Sequence, residues 1–141
     1  MKKIGFIGLG NMGEPMATNL VKAGFDVIGF DLIEEAKKKA ERNGIQIAKD
    51  AVSTLENVDA LISMLPASEH VESLYLGEEG LLSKLDKTVL IIDCSTIAPD
   101  SAIKVANQAK DLDLSMIDAP VSGGVVAVSY THLTLPTILL V

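Results

Sequence analysis

Three glycines near the amino terminus, Gly8, Gly10 and Gly13, carry the G-x-G-x-x-G spacing that can wrap a backbone around a pyrophosphate. Gly8 is expected to allow the tight turn, Gly10 the approach of the phosphates, and Gly13 the close packing of a helix on a strand. Leu9, Asn11 and Met12 complete the loop, and the helix that begins there presents unpaired N–H groups and a positive dipole end to an anion. An acid, Asp31, ends the next apolar run, Val27-Ile28-Gly29-Phe30. Its carboxylate can accept hydrogen bonds from ribose hydroxyls and would repel a 2′-phosphate. Leu32 and Ile33 follow it, with no arginine nearby to neutralise such a phosphate, so NAD is favoured over NADP as the cofactor. The competing role for Asp31 is to N-cap the helix that comes next.

These residues need strands to carry them and helices to close over them. Ile4-Gly5-Phe6-Ile7 reads as a strand buried on both faces, and a helix pattern runs from about Met12 to Ala23, with Met12 and Met16 read as packing. A charged helix follows from Ile33 to Asn43. Its Glu34–Lys38 and Glu35–Lys39 spacings suit i,i+4 pairs, and the cluster reads as a solvated face. Short strands are expected at Ile45–Ile47, Ala60–Leu65, Val89–Ile92 and Met116–Ile117, with small helices near 51–56 and 69–74. Pro99 suits the first turn of a helix running to about Lys110, with Ala102, Ile103, Ala106 and Ala109 facing inward. Alternating strands and helices of these lengths imply βαβ units and a doubly wound parallel sheet. Ligands bind such sheets beyond the carboxyl ends of the strands. That rule selects the glycine loop, Leu65-Pro66, Ser95-Thr96 and Ser122-Gly123-Gly124.

With 141 residues, 48% of them hydrophobic and 22% charged, the chain suits one globular domain with a proper core. A net charge of -7 argues against nucleic acid or an anionic membrane surface as partner, and no apolar run is long enough to span a bilayer. Met1-Lys2-Lys3 leads straight into a strand and does not read as a signal peptide, which suits a cytoplasmic protein. The single cysteine, Cys94, excludes an internal disulfide and a cysteine zinc cluster, and no metal site is expected. No basic partner lies near Cys94 in sequence, so it reads as a small buried residue and not a nucleophile. His70 reads as an exposed side chain or a contact at the cofactor rim.

The run Phe6-Ile7-Gly8-Leu9-Gly10-Asn11-Met12-Gly13-Glu14-Pro15-Met16-Ala17-Thr18-Asn19-Leu20 is far more specific than its three glycines. Together with Met64-Leu65-Pro66, Asp93-Cys94-Ser95-Thr96 and Asp118-Ala119-Pro120-Val121-Ser122-Gly123-Gly124, it resembles the β-hydroxyacid dehydrogenase family. The likeness is strongest to 3-hydroxyisobutyrate dehydrogenases and tartronate semialdehyde reductases, and it covers Lys2 to about Ala127. It implies a Rossmann-type α/β domain and hydride exchange between NAD and a small β-hydroxyacid or its semialdehyde. It further implies NAD contacts from Leu65, Pro66 and Thr96, and a substrate carboxylate held at Ser122, Gly123 and Gly124. A hydroxyl beside two glycines is a good anion cradle, although the same three residues also suit a plain turn, and Thr96 also suits a helix cap.

Family members continue into a linking helix and an all-helical second domain, which also build the substrate pocket, and the lysine serving as general acid/base lies on that side. Nothing in this sequence corresponds to it, so the chain is expected to be an inactive amino-terminal fragment of a homo-oligomeric enzyme. The expected division is a nucleotide-binding domain over 1–127 and an unrelated tail over 128–141. Val128 to Thr137 back-translates, in one frame, into DNA that reads like a transposase sequencing adapter. Two other readings use the same nucleotide domain: an imine reductase or 6-phosphogluconate dehydrogenase relative, and a non-catalytic dinucleotide-binding module.

Overall fold

In the computed structural model, residues 2–121 are described, so the expectations for Ser122, Gly123, Gly124 and the 128–141 tail lie outside the described residues. Six strands form one sheet: β1 (Lys3–Ile7), β2 (Asp26–Phe30), β3 (Gln46–Ile47), β4 (Ala60–Ser63), β5 (Leu90–Asp93) and β6 (Ser115–Asp118). Their spatial order is β3-β2-β1-β4-β5-β6, and every pairing is parallel. This is the doubly wound arrangement expected from the alternation of apolar runs and helical patterns. The order reverses direction between β1 and β4, which opens a crevice at their carboxyl ends.

Four helices cover the sheet: α1 (Gly13–Lys22), α2 (Glu34–Arg42), α3 (Ser68–Tyr75) and α4 (Pro99–Asp111). Strand side chains alternate between two cores. Ile4, Phe6, Val27 and Ile62 pack on one side with Ala17 of α1 and Ala40 of α2. Ile7, Ile28, Leu61 and Ile91 pack on the other with Val71 and Tyr75 of α3 and Val105 and Ala109 of α4. The central strands are apolar on both faces because helices cover both.

Several expectations shift. Strand β4 ends at Ser63, two residues before Leu65, and the 51–56 segment is a 3-10 turn over Val52–Leu55. On α4 the inward positions are Val105 and Ala109, whereas Ala106 is exposed and Ile103 is 58% exposed. At 3.6 residues per turn, 102, 105 and 109 share a face, and 103 and 106 are rotated off it. The charges of α2 also pair differently. Lys37 reaches Glu34 at 2.9 Å, and Lys39 crosses to Glu14 on α1 at 3.6 Å. Glu14 is buried and also accepts from Thr18 Oγ1 (2.7 Å) and Asn43 Nδ2 (2.6 Å), so it ties α1 to the end of α2.

These two burials give opposite expectations under truncation. Leu61→Ala, in the centre of the sheet, should cost about 2–5 kcal/mol in urea unfolding. Ile103→Ala should stay within about 0.5 kcal/mol of the parent chain. Equal losses at the two sites would contradict the burial described above.

Candidate functional site

The crevice is walled by the loop after β1, the end of β2 and the turns after β4 and β5. Backbone proximity builds the first wall. Gly8 has φ +99°, and a Cβ there would strike the Met64 carbonyl oxygen, while a Cβ on Gly13 would strike the Gly8 carbonyl oxygen. Residues without side chains at both positions let the start of α1 settle directly on the strand ends. Gly10 differs, because a Cβ added there would meet nothing within 4 Å among the described residues. Glu14 N–H closes onto Gly10 O at 3.0 Å, so helical turns begin at the loop. The N–H groups of Asn11, Met12 and Gly13 have no acceptor among the described residues. Open space in front of Gly10, faced by a helix amino terminus, matches the shape and charge preference of a pyrophosphate.

Asp31 stands at the end of β2, half-buried, and neither oxygen is idle. Leu9 N–H donates to Oδ2 at 2.8 Å and Ile33 N–H donates to Oδ1 at 2.8 Å. The carboxylate thereby pins the glycine loop to the end of β2, and each oxygen retains lone-pair capacity for a hydroxyl donor. Asp31 does not cap α2. Ile33 holds that position without a side-chain cap, because the Asp31 bond to Ile33 is a turn that precedes the helix. Leu32 and Ile33 are 86% and 62% exposed beside it.

Beyond β4 and β5, Leu65 is half-buried, and Pro66 and Thr96 are exposed. Thr96 does not cap α4 either. Ala98 takes the cap position, and its N–H donates to Ser68 Oγ at 3.0 Å. The register pairs Ile7 with Ser63 and Ser63 with Asp93, so these turns leave the sheet side by side. The glycine loop, Asp31, Leu65, Pro66 and Thr96 therefore all belong to the carboxyl edge, as the sequence predicts. His70 is exposed on α3. Cys94 is buried, and burial together with the nearby Asp93 and Asp118 carboxylates pushes its thiol up to about 11, which opposes a nucleophilic role.

One cluster behind this edge escapes the sequence reading. Asp93 is 1% exposed, and its Oδ1 accepts from Ser63 Oγ (2.8 Å), Ser95 Oγ (2.7 Å) and Ser95 N–H (3.2 Å). Tyr75 Oη donates to Ser63 Oγ at 2.6 Å, and Leu65 N–H donates to Ser95 Oγ at 2.8 Å. Burial raises the Asp93 carboxyl above its ordinary range and the Asp118 carboxylate adds to the rise, while hydrogen bonds from Ser95 and Ser63 oppose it. Burial likewise raises the Tyr75 phenol far above its usual value. The available signal was a hydroxyl, Ser63, inside an apolar strand, since a buried hydroxyl requires a partner. Among the described residues no group of His, Cys, Asp and Glu could hold a metal ion, and no helix is long and apolar enough to cross a membrane.

Comparison with known proteins agrees with this geometry. The chain is 48% identical over 134 residues to an NAD-dependent L-serine dehydrogenase of Pseudomonas aeruginosa, spanning 95% of this chain and 45% of that one. It is 54% identical over 125 residues to a 3-hydroxyisobutyrate dehydrogenase of the same organism, spanning 89% and 42%. The solved 3-hydroxyisobutyrate dehydrogenase of Mycobacterium tuberculosis, determined with L-serine, superposes with a TM-score of 0.85 at 39% identity, covering 92% of this chain and 43% of that one. The chain thus spans under half the length of these relatives. The family model for the NAD binding domain of 6-phosphogluconate dehydrogenase matches residues 3–136, and the chain belongs to that family.

Proposed function

We propose that this chain is the cofactor-binding half of an NAD-dependent dehydrogenase acting on a small β-hydroxyacid or its semialdehyde, of the 3-hydroxyisobutyrate or 2-hydroxy-3-oxopropionate type. The observation that carries the reading is the approach to Gly10 beneath the first turn of α1, open among the described residues, with Asp31 fixed at its side. A bound nicotinamide supplies the hydride acceptor or donor. The chain's own residues bind and orient. The N–H groups of Asn11, Met12 and Gly13 would face a pyrophosphate, and Gly8, Leu9 and Gly10 would shape the loop around it. Asp31 would accept hydrogen bonds from the ribose hydroxyls, while Leu65, Pro66 and Thr96 border the far end of the cleft. Ser122, Gly123 and Gly124 are assigned to the substrate carboxylate by motif. The general acid/base is assigned to the part of the relatives that this chain does not span. The names of the relatives, serine and 3-hydroxyisobutyrate dehydrogenases, support a three- or four-carbon hydroxyacid.

Three outcomes test this. Gly10→Ala should fold like the parent but lose the rise in Tm that NADH confers, whereas Gly13→Ala should lose about 1–3 kcal/mol of stability before any ligand is added. An NADH-dependent Tm shift that survives Gly10→Ala would remove the pyrophosphate from that space.

In fluorescence titrations NADH should bind more tightly than NADPH. Asp31→Asn, which retains an acceptor oxygen but no charge, should narrow the preference by about tenfold, the scale of one screened charge contact. An unchanged ratio would remove Asp31 from the selection. The 141-residue chain alone should show no NADH formation from 3-hydroxyisobutyrate or L-serine, and measurable turnover would refute its assignment as the non-catalytic half.

A further inference from the structure

The turn Met64-Leu65-Pro66 lies against the glycine loop, and the sheet holds only its first residue. Met64 N–H still bonds to Ile7 O at 2.9 Å, the last rung joining β4's end to β1. Leu65 is the next residue, and its N–H goes to a side chain, Ser95 Oγ, 30 residues away in sequence. A Cβ built on Gly8 would strike Met64 O and come within 3.2 Å of Leu65 Cδ2, so any shift of this turn is felt at the loop. Ser95 is 1% exposed and presents nothing to the cleft itself.

The proton directions around Ser95 are determined. Leu65 N–H can only donate, so Ser95 Oγ accepts from it and must send its own proton elsewhere. The acceptor is Asp93 Oδ1 at 2.7 Å. The same oxygen also accepts a hydrogen bond from Ser63 Oγ, and Ser63 in turn accepts from Tyr75 Oη. One carboxylate oxygen thus terminates two donor chains, one from α3 and one from the turn after β4. If its role were only to satisfy polar groups, apolar residues would serve this interior as well. The arrangement instead converts a rigid position on β5 into a hydrogen bond at the cleft wall.

We propose that Ser95, oriented by the buried Asp93 carboxylate, is a positioning residue that sets the Leu65 turn against the glycine loop and so preorganises the cofactor cleft. The proposal rests on reading this domain as an NAD-binding one. It assigns to Ser95 an action on the cofactor through the Leu65 backbone, with no direct contact.

The test measures amide hydrogen exchange and NADH affinity on the 141-residue chain and two variants. In Ser95→Ala the Leu65 amide should exchange at least about tenfold faster. NADH binding should weaken about threefold to tenfold, the worth of one neutral hydrogen bond. Thr54→Val is the control. It deletes another fully buried hydroxyl, one bonded to Ala51 O at 2.6 Å away from the cleft, and should lower stability without moving either reading. Unchanged Leu65 exchange in Ser95→Ala, or the same shifts in both variants, would overturn the proposal. A further reading needs no variant: in the parent chain the Leu65 amide should exchange more slowly than that of exposed Thr96, and equal rates would also overturn it. Failure of the parent to bind NADH would sink the cofactor assignment instead, leaving the exchange data to decide the positioning role.

Discussion

The site depends first on how closely backbone can approach backbone at the end of β1. Gly8 lies against the Met64 carbonyl and Gly13 against the Gly8 carbonyl, at distances that leave no room for a methyl group. With these two contacts α1 begins on top of the sheet edge, and its first-turn N–H groups open onto the crevice between β1 and β4. A helix displaced by the width of one side chain would carry those donors out of reach of an anion seated in the loop. Gly10 differs from both, since among the described residues nothing lies within 4 Å of a Cβ placed there.

Two carboxylates then hold the edge from either side. Asp31 fastens the glycine loop to β2 through Leu9 N–H while keeping acceptor capacity towards the cleft. Asp93 works from inside, where it organises Ser63, Tyr75 and Ser95 and reaches the Leu65 turn through a hydroxyl. A carboxylate in water adapts to any donor that arrives. In the interior, cut off from solvent, it has to be satisfied by fixed donors, and those donors become fixed with it. Both acids therefore do more than their neighbours in sequence suggest.

The rest of the fold supports this edge through packing that is ordinary for parallel sheets. Helices α1 and α2 shield one face, and α3 and α4 the other, so the central strands are apolar apart from Ser63 and Asp93 at their carboxyl ends. Glu14 shows the same economy of charge. It sits buried in the first turn of α1, satisfied by Thr18, Asn43 and Lys39, and joins two helices that have no other polar link among the bonds described here.

Much of this was legible in the residues. The glycine spacing, the apolar runs and the acid ending the second of them predicted the sheet, its parallel sense and the position of the cleft. These are local rules of period, turn chemistry and propensity, and they act over a few residues. Relations between residues far apart in the chain were not legible. Ile103 was expected inward because it is apolar, but the face of α4 is set by which turn meets β6. The competing helix-cap roles of Asp31 and Thr96 are not taken up, because each cap position falls two residues later, at Ile33 and Ala98. The Asp93 cluster joins positions 63, 75, 93 and 95, whose hydroxyls acquire donors and acceptors only when β4, β5 and α3 are stacked. By itself the sequence determined the elements and the place of the glycine loop at the carboxyl edge. The tertiary structure alone decided how the loop is held, because burial and a hydrogen bond between distant residues exist only in the folded chain.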